Sequence, residues 1–285
     1  MNNIVLLGVG LVGSTFLEFL YVAKIGKSLL TKFKKLIIID AEDRTNEPTV
    51  VAIKKKIDTT LIKLEITKSN VEHTTNKYIM KNDLVVDLTY NVSTEALISH
   101  CLKVGAHYIN TSVEDWPFQH EDVLSHNLND RLLSVMHKDL LSKFKGKHNS
   151  TVVLTHGMNP GLISHFAYLG IITVAKKVLS KAKRLKKSNS KLKRLKKALD
   201  NEDFPQMAYL LGIQTFHCSE IDTQKTSHVR KSGEFVNTWG PYSFYAEGVD
   251  PVQVGYGTHE PAPSSELSSA TKAGNMLYMH KRGID

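Results

Sequence analysis

Cysteine is scarce in this chain, which has two in 285 residues, Cys101 and Cys218. Their wide separation gives neither the spacing of a disulfide framework nor that of a zinc site. The amino terminus enters an apolar run almost at once, without the basic segment and cleavage site of a secretory signal. We therefore expect a cytoplasmic protein with reduced thiols and no metal centre.

Long apolar runs are also lacking. None reaches the roughly 18 residues that a membrane helix needs, and the most apolar segment, 162–174, is too short. We therefore expect no membrane span and no membrane partner. An apolar content of 41% and a charged content of 23% are ordinary for a soluble globular protein. The length allows one large domain or two ordinary ones.

Acidic residues are absent from 176–197, a block that holds twelve Lys or Arg. The chain's net charge of +9 comes from this block, because the other 25 basic residues are outnumbered by 28 acidic ones. The repeated KRLKK at 183–187 and 193–197 indicates a solvated, partly disordered helical excursion. Contact with RNA or an anionic surface is the alternative. Nucleic acid is disfavoured because no aromatic residue, on which a base could stack, is interleaved.

The most informative stretch is near the amino terminus. An apolar run from Ile4 leads into the glycine loop, residues 8–13 (GVGLVG), and a helix-like segment follows at 14–24. Strand, glycine turn and helix start, in that order, predict a dinucleotide-binding loop. Gly8 permits the tight turn, Gly10 lets the backbone approach a pyrophosphate, and Gly13 allows close helix packing. A glycine turn in some other α/β domain is the alternative.

A second buried strand is predicted at 35–40 and ends in Asp40. An acid at this position commonly accepts hydrogen bonds from the ribose hydroxyls of NAD and repels the extra phosphate of NADP. We therefore expect NAD as the cofactor. Arg44 lies close by, and Asp40 follows Gly13 by 27 residues, a longer separation than usual. An ordinary helix-capping or turn role for Asp40 stays open.

Strand-like segments continue to alternate with helix-like ones. Strands are predicted at 61–66, 84–88, 107–111 and 151–155, and helices at 50–57, 71–80, 93–104 and 122–145. This alternation predicts an α/β fold with a Rossmann-type doubly wound parallel sheet, which we place in an NAD-binding domain at 1–160. Ligands of such sheets bind beyond the carboxyl ends of the strands. The polar turns after the strands, including 156–161 (HGMNPG), are therefore candidate ligand loops.

The cofactor is assigned to residues of the glycine loop and of these strand-end turns. They are Gly8, Gly10, Leu11, Val12, Gly13, Asp40, Thr89, Asn91, Thr111, Ser112, Gly157, Met158 and Pro160.

The pattern changes from Ile213 onward. Residues 213–221 alternate like a strand, and 234–260 are dense in aromatic residues. We predict an incomplete α+β substrate domain at 161–285 with a mainly antiparallel sheet. Acids and aromatics are combined there at Glu220, Trp239, Tyr242, Tyr245, Glu247, His259 and Glu260.

This combination suits a cationic ligand. A Trp face attracts an ammonium group by about 0.5–2 kcal/mol, and carboxylates add charge-assisted hydrogen bonds to the same nitrogen. A carboxylate can also take the amine's proton before a hydride leaves the adjacent carbon. The alternative is that these aromatics form the ordinary core of a two-layer sheet.

Several motifs together resemble bacterial homospermidine synthase, of the saccharopine-dehydrogenase-like group. The resemblance runs from the glycine loop to the chain end, and its motifs are HGMNPGLIS at 156–164, NTW at 237–239, EG at 247–248, GYGTHE at 255–260, YNVS at 90–93 and NTSVEDWP at 110–117.

The resemblance implies a transferase that uses NAD as an internally recycled redox cofactor. Putrescine is oxidised to an imine, a second putrescine attacks, ammonia leaves, and the new imine is reduced to homospermidine. Spermidine is the alternative aminobutyl donor. It also implies either a homodimer or an assembly with a complementing carboxyl-terminal chain.

The catalytic residues that the resemblance implies are Glu220, Trp239, Glu247, Glu114 and Asn159. Trp239 holds the substrate ammonium through its π face, and Glu247 contacts the same end. Glu220 matches an acid on the preceding strand. Glu114 matches the family acid that precedes the Trp-Pro pair of the motif at 110–117. Asn159 lies between cofactor and substrate.

The chain departs from the family in two respects. Members continue well past the position of Asp285 into further pocket residues, so we expect a carboxyl-terminally truncated version or half of a split enzyme. Asp115 stands where a proline is more usual. Two other functions stay open: a saccharopine or carboxynorspermidine dehydrogenase-like oxidoreductase, and an inactive NAD-binding fragment.

Overall fold

The computed structural model describes residues 2–116, 133–221, 223, 225, 229–234, 236, 251–255, 271–273 and 276–282. The chain divides into two compact units. The first unit comprises residues 1–109, 113–154 and 222–285, and the second comprises 110–112 and 155–221. The predicted domains, 1–160 and 161–285, stay a prediction.

A six-stranded sheet forms the centre of the first unit. Its strands lie in the order β3-β2-β1-β4-β5-β6, and the pairs of known register are parallel. The strand order runs outward from the middle of the sheet in both directions, so the topological switch point lies between the neighbouring strands β1 and β4. The strands are β1 (Asn3–Leu7), β2 (Lys35–Asp40), β3 (Asp58–Lys63), β4 (Leu84–Asp87), β5 (His107–Asn110) and β6 (Val152–Val153).

Helices cover both faces of this sheet because both faces of its strands are apolar. Alternate residues of β1 point in opposite directions, so Ile4 and Leu6 belong to one buried cluster while Val5 and Leu7 belong to another. The first cluster packs against α1 (Leu11–Val22), α2 (Lys24–Leu30) and α3 (Pro48–Lys54). The second packs against α4 (Val71–Tyr78) and α5 (Thr94–Val104). The predicted doubly wound parallel sheet is confirmed.

The boundaries of some elements differ from the prediction. β3 begins three residues earlier than predicted, because it pairs with β2 from the Lys35–Asp58 register onward. β6 is only Val152–Val153. Of the predicted helix at 122–145, the structure describes α6 (Leu133–Lys143), and residues 117–132 lie outside the described ranges.

Three helices make up most of the second unit: α7 (Leu162–Arg184), α8 (Ser190–Asp200) and α9 (Phe204–Leu211). Asn189 caps α8 by accepting a hydrogen bond from the Leu192 amide, and Asp203 caps α9 in the same way through Gln206. The core between them contains Ile171, Ala175, Leu195, Ala198, Met207 and Leu210.

The basic block falls on the end of α7 and on α8. All twelve of its Lys and Arg residues are exposed. In the part of the chain that the structure describes, one ion pair involves the block, between Lys196 and Asp200 at 2.6 Å. The block is therefore a helical, solvent-facing surface.

Several apolar side chains of α7 are more than a third exposed, including Leu162, Phe166, Leu169, Val174 and Val178. An 18-residue window of this helix has a mean hydropathy of 1.4 and is 11% buried, so its length and composition would allow a membrane crossing. The helix is longer than the apolar segment from which we expected no span. Length and composition alone do not establish a membrane span, because core helices of soluble proteins meet the same criterion.

A separate three-stranded antiparallel sheet lies near the carboxyl end. Its order is β7-β9-β8, formed by Pro251–Gly255, Met276–Arg282 and Thr271–Ala273 respectively. An antiparallel sheet is therefore present near the carboxyl end, but only β7 overlaps the stretch in which we expected its strands, and β8 and β9 were not expected. The strand predicted at 213–221 is wrong. Its residues alternate in polarity, but the segment is irregular and almost wholly exposed, without a strand partner among the described residues.

The two cysteines should differ sharply in reactivity. Cys101 is fully buried, and burial raises the pKa of its thiol to about 12, whereas Cys218 is exposed. Because the thiolate is the nucleophile, iodoacetamide at pH 8 should label Cys218 and leave Cys101 unmodified, as measured by peptide mass spectrometry. Labelling in denaturant should modify both. Rapid modification of Cys101 in the folded protein would contradict this packing.

Candidate functional site

The glycine loop is held by close backbone packing with β4. Gly8 has φ +85°, and a Cβ there would lie 2.7 Å from the Leu88 carbonyl oxygen and 3.2 Å from the Thr89 amide nitrogen. The Leu88 amide donates to the Leu7 carbonyl at 2.8 Å. Only glycine fits at residue 8, since both the positive φ and the neighbouring backbone exclude a side chain.

The start of α1 is packed onto the same turn. A Cβ on Gly13 would collide with the Gly8 carbonyl oxygen, so this glycine brings the helix close to the strand end. A Cβ on Gly10, in contrast, would meet nothing within 4 Å. Gly10 therefore faces open space, as expected of a residue over which a pyrophosphate lies.

The first turn of α1 presents unpaired backbone amides. The first α-helical hydrogen bond runs from the Ser14 amide to the Gly10 carbonyl at 2.9 Å, so the amides of residues 11–13 precede the ladder. The cap residue Gly10 has no side chain to bind them, and no acid lies in the first turn. The side chains of Leu11 and Val12 are exposed. This end of the helix can therefore donate hydrogen bonds to an anion.

Asp40 binds the glycine loop directly. Its Oδ2 accepts from the Val9 amide at 2.5 Å, while its Oδ1 accepts from the Glu42 amide at 2.8 Å and from Arg44 Nε at 3.0 Å. The side chain is only 7% exposed. Asp40 thus joins the end of β2 to the glycine loop, and the turn role left open by the sequence is present in the structure.

The carboxyl end of β4 brings residues 89–91 beside the glycine loop. Thr89 donates to Asp87 Oδ1 through its hydroxyl at 2.5 Å and its amide at 3.1 Å. Asn91 is half-buried and has φ +61°, a left-handed conformation that asparagine tolerates. The structure thereby brings together Gly8, Asp40 and Thr89 within the first unit, as the sequence predicts.

The other predicted cofactor residues lie in the second unit. Thr111 and Ser112 follow β5, and a Cβ on Gly157 would lie 3.2 Å from Cβ of Thr111. The Gly157 amide donates to the Pro160 carbonyl at 3.0 Å, and the Asn159–Pro160 peptide bond is cis. These contacts close the 156–161 turn into a compact loop at the start of α7. Met158 projects from it and is 62% exposed.

Two of the predicted catalytic residues are anchored by local structure. Glu114 is half-buried in the first unit, where its amide donates to Thr94 Oγ1 at 2.9 Å and its carbonyl accepts from the Thr94 amide. Asn159 is exposed on the 156–161 turn of the second unit.

The remaining catalytic assignments have less structural support. Glu220 lies in the irregular segment 213–221 and is exposed, so its predicted position on a strand is wrong. Trp239 and Glu247 lie outside the described residues, as do Tyr242, Tyr245, His259 and Glu260.

Sequence reasoning missed two buried polar residues behind the site. Asp87, at the end of β4, is 4% exposed and accepts a hydrogen bond from the Tyr108 hydroxyl at 2.6 Å. A signal was present, since a charged residue ending an otherwise apolar strand needs partners to be buried.

Among the described residues, no group of three or more His, Cys, Asp or Glu could hold a metal ion.

Comparison with known proteins finds similar sequences for these features. Residues 4–136 match the model of the saccharopine dehydrogenase NADP binding domain. This range contains the glycine loop, Asp40 and residues 89–91, so the predicted nicotinamide dinucleotide cofactor is confirmed.

Homospermidine synthases match a longer part of the chain. That of Mesorhizobium japonicum is 27% identical over 203 residues, and that of Blastochloris viridis is 25% identical over the same length. In each case the match covers 70% of this chain and 39% of the relative. The chain thus spans about two fifths of the length of the curated relatives it matches.

A solved structure agrees with these matches. The crystal structure of the Legionella pneumophila homospermidine synthase in complex with NAD has a TM-score of 0.65 and 26% identity, covering 99% of this chain and 54% of that one. The resemblance read from the sequence motifs is confirmed: this chain is similar to bacterial homospermidine synthases, and its residues 4–136 match the saccharopine dehydrogenase NADP binding domain.

Proposed function

We propose that this chain acts in an NAD-dependent homospermidine synthase, alone or with further polypeptide. The observation that supports this most is the glycine loop, packed against β4 and bound by Asp40, in a chain whose relatives are homospermidine synthases. The reaction transfers an aminobutyl group from putrescine to a second putrescine and releases ammonia. With spermidine as the donor, the amine released is 1,3-diaminopropane instead. We place the protein in the cytoplasm.

The electrostatics around Asp40 favour NAD over NADP. Arg44 is the one cation between residues 40 and 47, and its Nε is already paired with Asp40. Three further acids, Glu42, Asp43 and Glu47, occupy the same stretch. Hydrogen bonds from Thr45 lower the pKa of the Asp43 carboxyl, which keeps it ionised. An added 2′-phosphate would meet this negative charge, part of which is offset by Lys54 and Lys63 near Asp43.

We assign the cofactor to the glycine loop and to the strand ends beside it. The amides of residues 11–13 would bind the pyrophosphate, with Gly10 leaving room for it. Asp40 and the 89–91 turn would line the riboses. The assignment of Thr111, Ser112, Gly157, Met158 and Pro160 to the cofactor stays a prediction from the sequence. The cofactor supplies reversible hydride acceptance from the carbon next to the substrate amine.

The substrate side rests on the family motifs. Trp239 would hold the distal ammonium of the diamine through its π face, and Glu247 and Glu220 would pair with ammonium groups. Glu114 would take the proton that the reacting amine must lose before it becomes an imine. Asn159 would orient the reacting carbon by hydrogen bonding.

A dehydrogenase acting on an amino-acid imine is the second candidate. Such an enzyme must hold substrate carboxylates, for which Lys or Arg would line the pocket. Residues 234–260 contain neither, and they include Glu234, Glu247, Asp250 and Glu260. This composition favours a substrate that carries amines alone.

Two glycine substitutions should separate cofactor binding from folding. Gly10→Val places its side chain in open space where the pyrophosphate would lie, so NADH fluorescence should no longer respond while the melting temperature changes by less than about 2 °C. Gly13→Ala collides with the Gly8 carbonyl and should lower the melting temperature by several degrees. An unaltered NADH response in Gly10→Val would remove the loop from the cofactor site.

The stoichiometry of the reaction tests the transferase. Putrescine with catalytic amounts of NAD should yield homospermidine and ammonia in a 1:1 ratio, without net NADH, because the hydride returns to the bound intermediate. Mass spectrometry measures homospermidine, and absorbance at 340 nm measures NADH. NADH that accumulates in proportion to product would instead indicate a dehydrogenase.

Trp239 provides a test of the amine site. Trp239→Ala removes the π face, so putrescine affinity should fall by about tenfold, while NADH affinity changes little. Isothermal titration with each ligand gives both constants. An equal loss of both would show that Trp239 is a core residue, and Trp239→Phe, which retains an aromatic face, should keep part of the putrescine affinity.

A further inference from the structure

The buried carboxylate of Asp87 lies directly beneath the turn that faces the glycine loop. Its Oδ1 accepts two hydrogen bonds from Thr89, at 2.5 Å from the hydroxyl and 3.1 Å from the amide. Its Oδ2 accepts from the Tyr108 hydroxyl on β5 at 2.6 Å. Three donors thus converge on one carboxyl that is 4% exposed, and Tyr108 itself is 1% exposed.

The turn held in this way is in contact with the glycine loop. A Cβ on Gly8 would touch the Leu88 carbonyl and the Thr89 amide, so the backbone at residues 88–89 forms one wall of that loop. A displacement of Thr89 would therefore change the space available at the loop, because packed backbone cannot deform locally without cost.

We propose that Asp87 is a positioning residue, which fixes residues 89–91 beside the glycine loop and is itself held in place by Tyr108. The proposal rests on the cofactor site proposed above. It assigns a role to β5 in shaping that site, through a hydrogen bond between neighbouring strands rather than through contact with the cofactor.

The alternative is that Asp87 only stabilises the fold, and β4 supplies a matched control for that. Asp83, just before the amino end of β4, is also buried and accepts from the Asn3 amide, Asn3 Nδ2 and the Met80 amide at 2.8–3.0 Å. Desolvation raises the pKa of both carboxyls, partly offset by these hydrogen bonds. The two residues are therefore similar in burial and hydrogen bonding, but lie at opposite ends of the strand.

The experiment compares NADH affinity in Asp87→Ala and Asp83→Ala, measured by fluorescence titration of the full chain well below both melting temperatures. Both variants should lose thermal stability. Only Asp87→Ala should raise the NADH dissociation constant, on the order of tenfold. Asp87 holds residues 89–91 at the carboxyl end of β4, whereas Asp83 lies at the opposite end of the strand. Asp83→Ala should stay within about twofold of the unmodified chain.

The conservative variant separates hydrogen-bond geometry from bulk. Asp87→Asn keeps a carbonyl oxygen for Thr89, and its amide can donate to the Tyr108 hydroxyl oxygen. It should therefore recover most of the affinity that Asp87→Ala loses. If Asp87→Ala does not fold, Tyr108→Phe should raise the dissociation constant about threefold, with Tyr78→Phe, in the same apolar cluster, as its control.

Four results distinguish the hypotheses. An unchanged dissociation constant in folded Asp87→Ala, or an equal loss in Asp83→Ala, would overturn the positioning role. The same holds if Tyr108→Phe and Tyr78→Phe behave alike. If the unmodified chain does not bind NADH at all, the proposed cofactor site is overturned and the positioning role with it.

Discussion

The close approach of three backbone segments at Gly8 is the constraint on which the first unit depends. The end of β1, the start of α1 and the end of β4 meet there, and they leave no room for a Cβ at Gly8 or Gly13. Backbone hydrogen bonds from the Gly8 amide to the Ile39 carbonyl and from the Leu88 amide to the Leu7 carbonyl hold this packing. Two carboxylates add to them: Asp40, at the end of β2, accepts from the Val9 amide, and Asp87, at the end of β4, accepts from Thr89. The apolar faces of the sheet stabilise the fold. These few polar contacts determine the shape of the sheet edge at the carboxyl ends of its strands, where the glycine loop lies.

Asp40 shows that one residue can serve both the fold and the ligand. Its two oxygens already accept three hydrogen bonds from the protein, yet a carboxylate has about four acceptor positions. Capacity for a ribose hydroxyl therefore remains. The pairing with Arg44 also explains why a cation near a predicted NAD site need not favour NADP, because its charge is offset by Asp40 and by the acids around it.

Much of the first unit could be predicted from the sequence, because apolar strands such as Ile4–Leu7 and the glycine spacing are local signals. Residues 213–221 show where such signals fail: their alternation matches a strand, but a strand also needs a partner edge, which local pattern does not specify. The Asp87–Tyr108 contact joins residues 21 positions apart and depends on the neighbouring places of β4 and β5 in the sheet. Spacing along the chain could not reveal it.

The basic surface of α8 has a consequence for the energetics of the second unit. Lys193 and Lys197 lie four residues apart on the helix, and Arg194 and Lys197 lie three apart, so like charges are neighbours along its exposed side. Each such pair opposes helix formation by about 0.2–0.5 kcal/mol, and dissolved ions screen the repulsion over about 10 Å at 0.1 M. Rising ionic strength therefore strengthens this helical unit, the reverse of its effect on a surface stabilised by ion pairs.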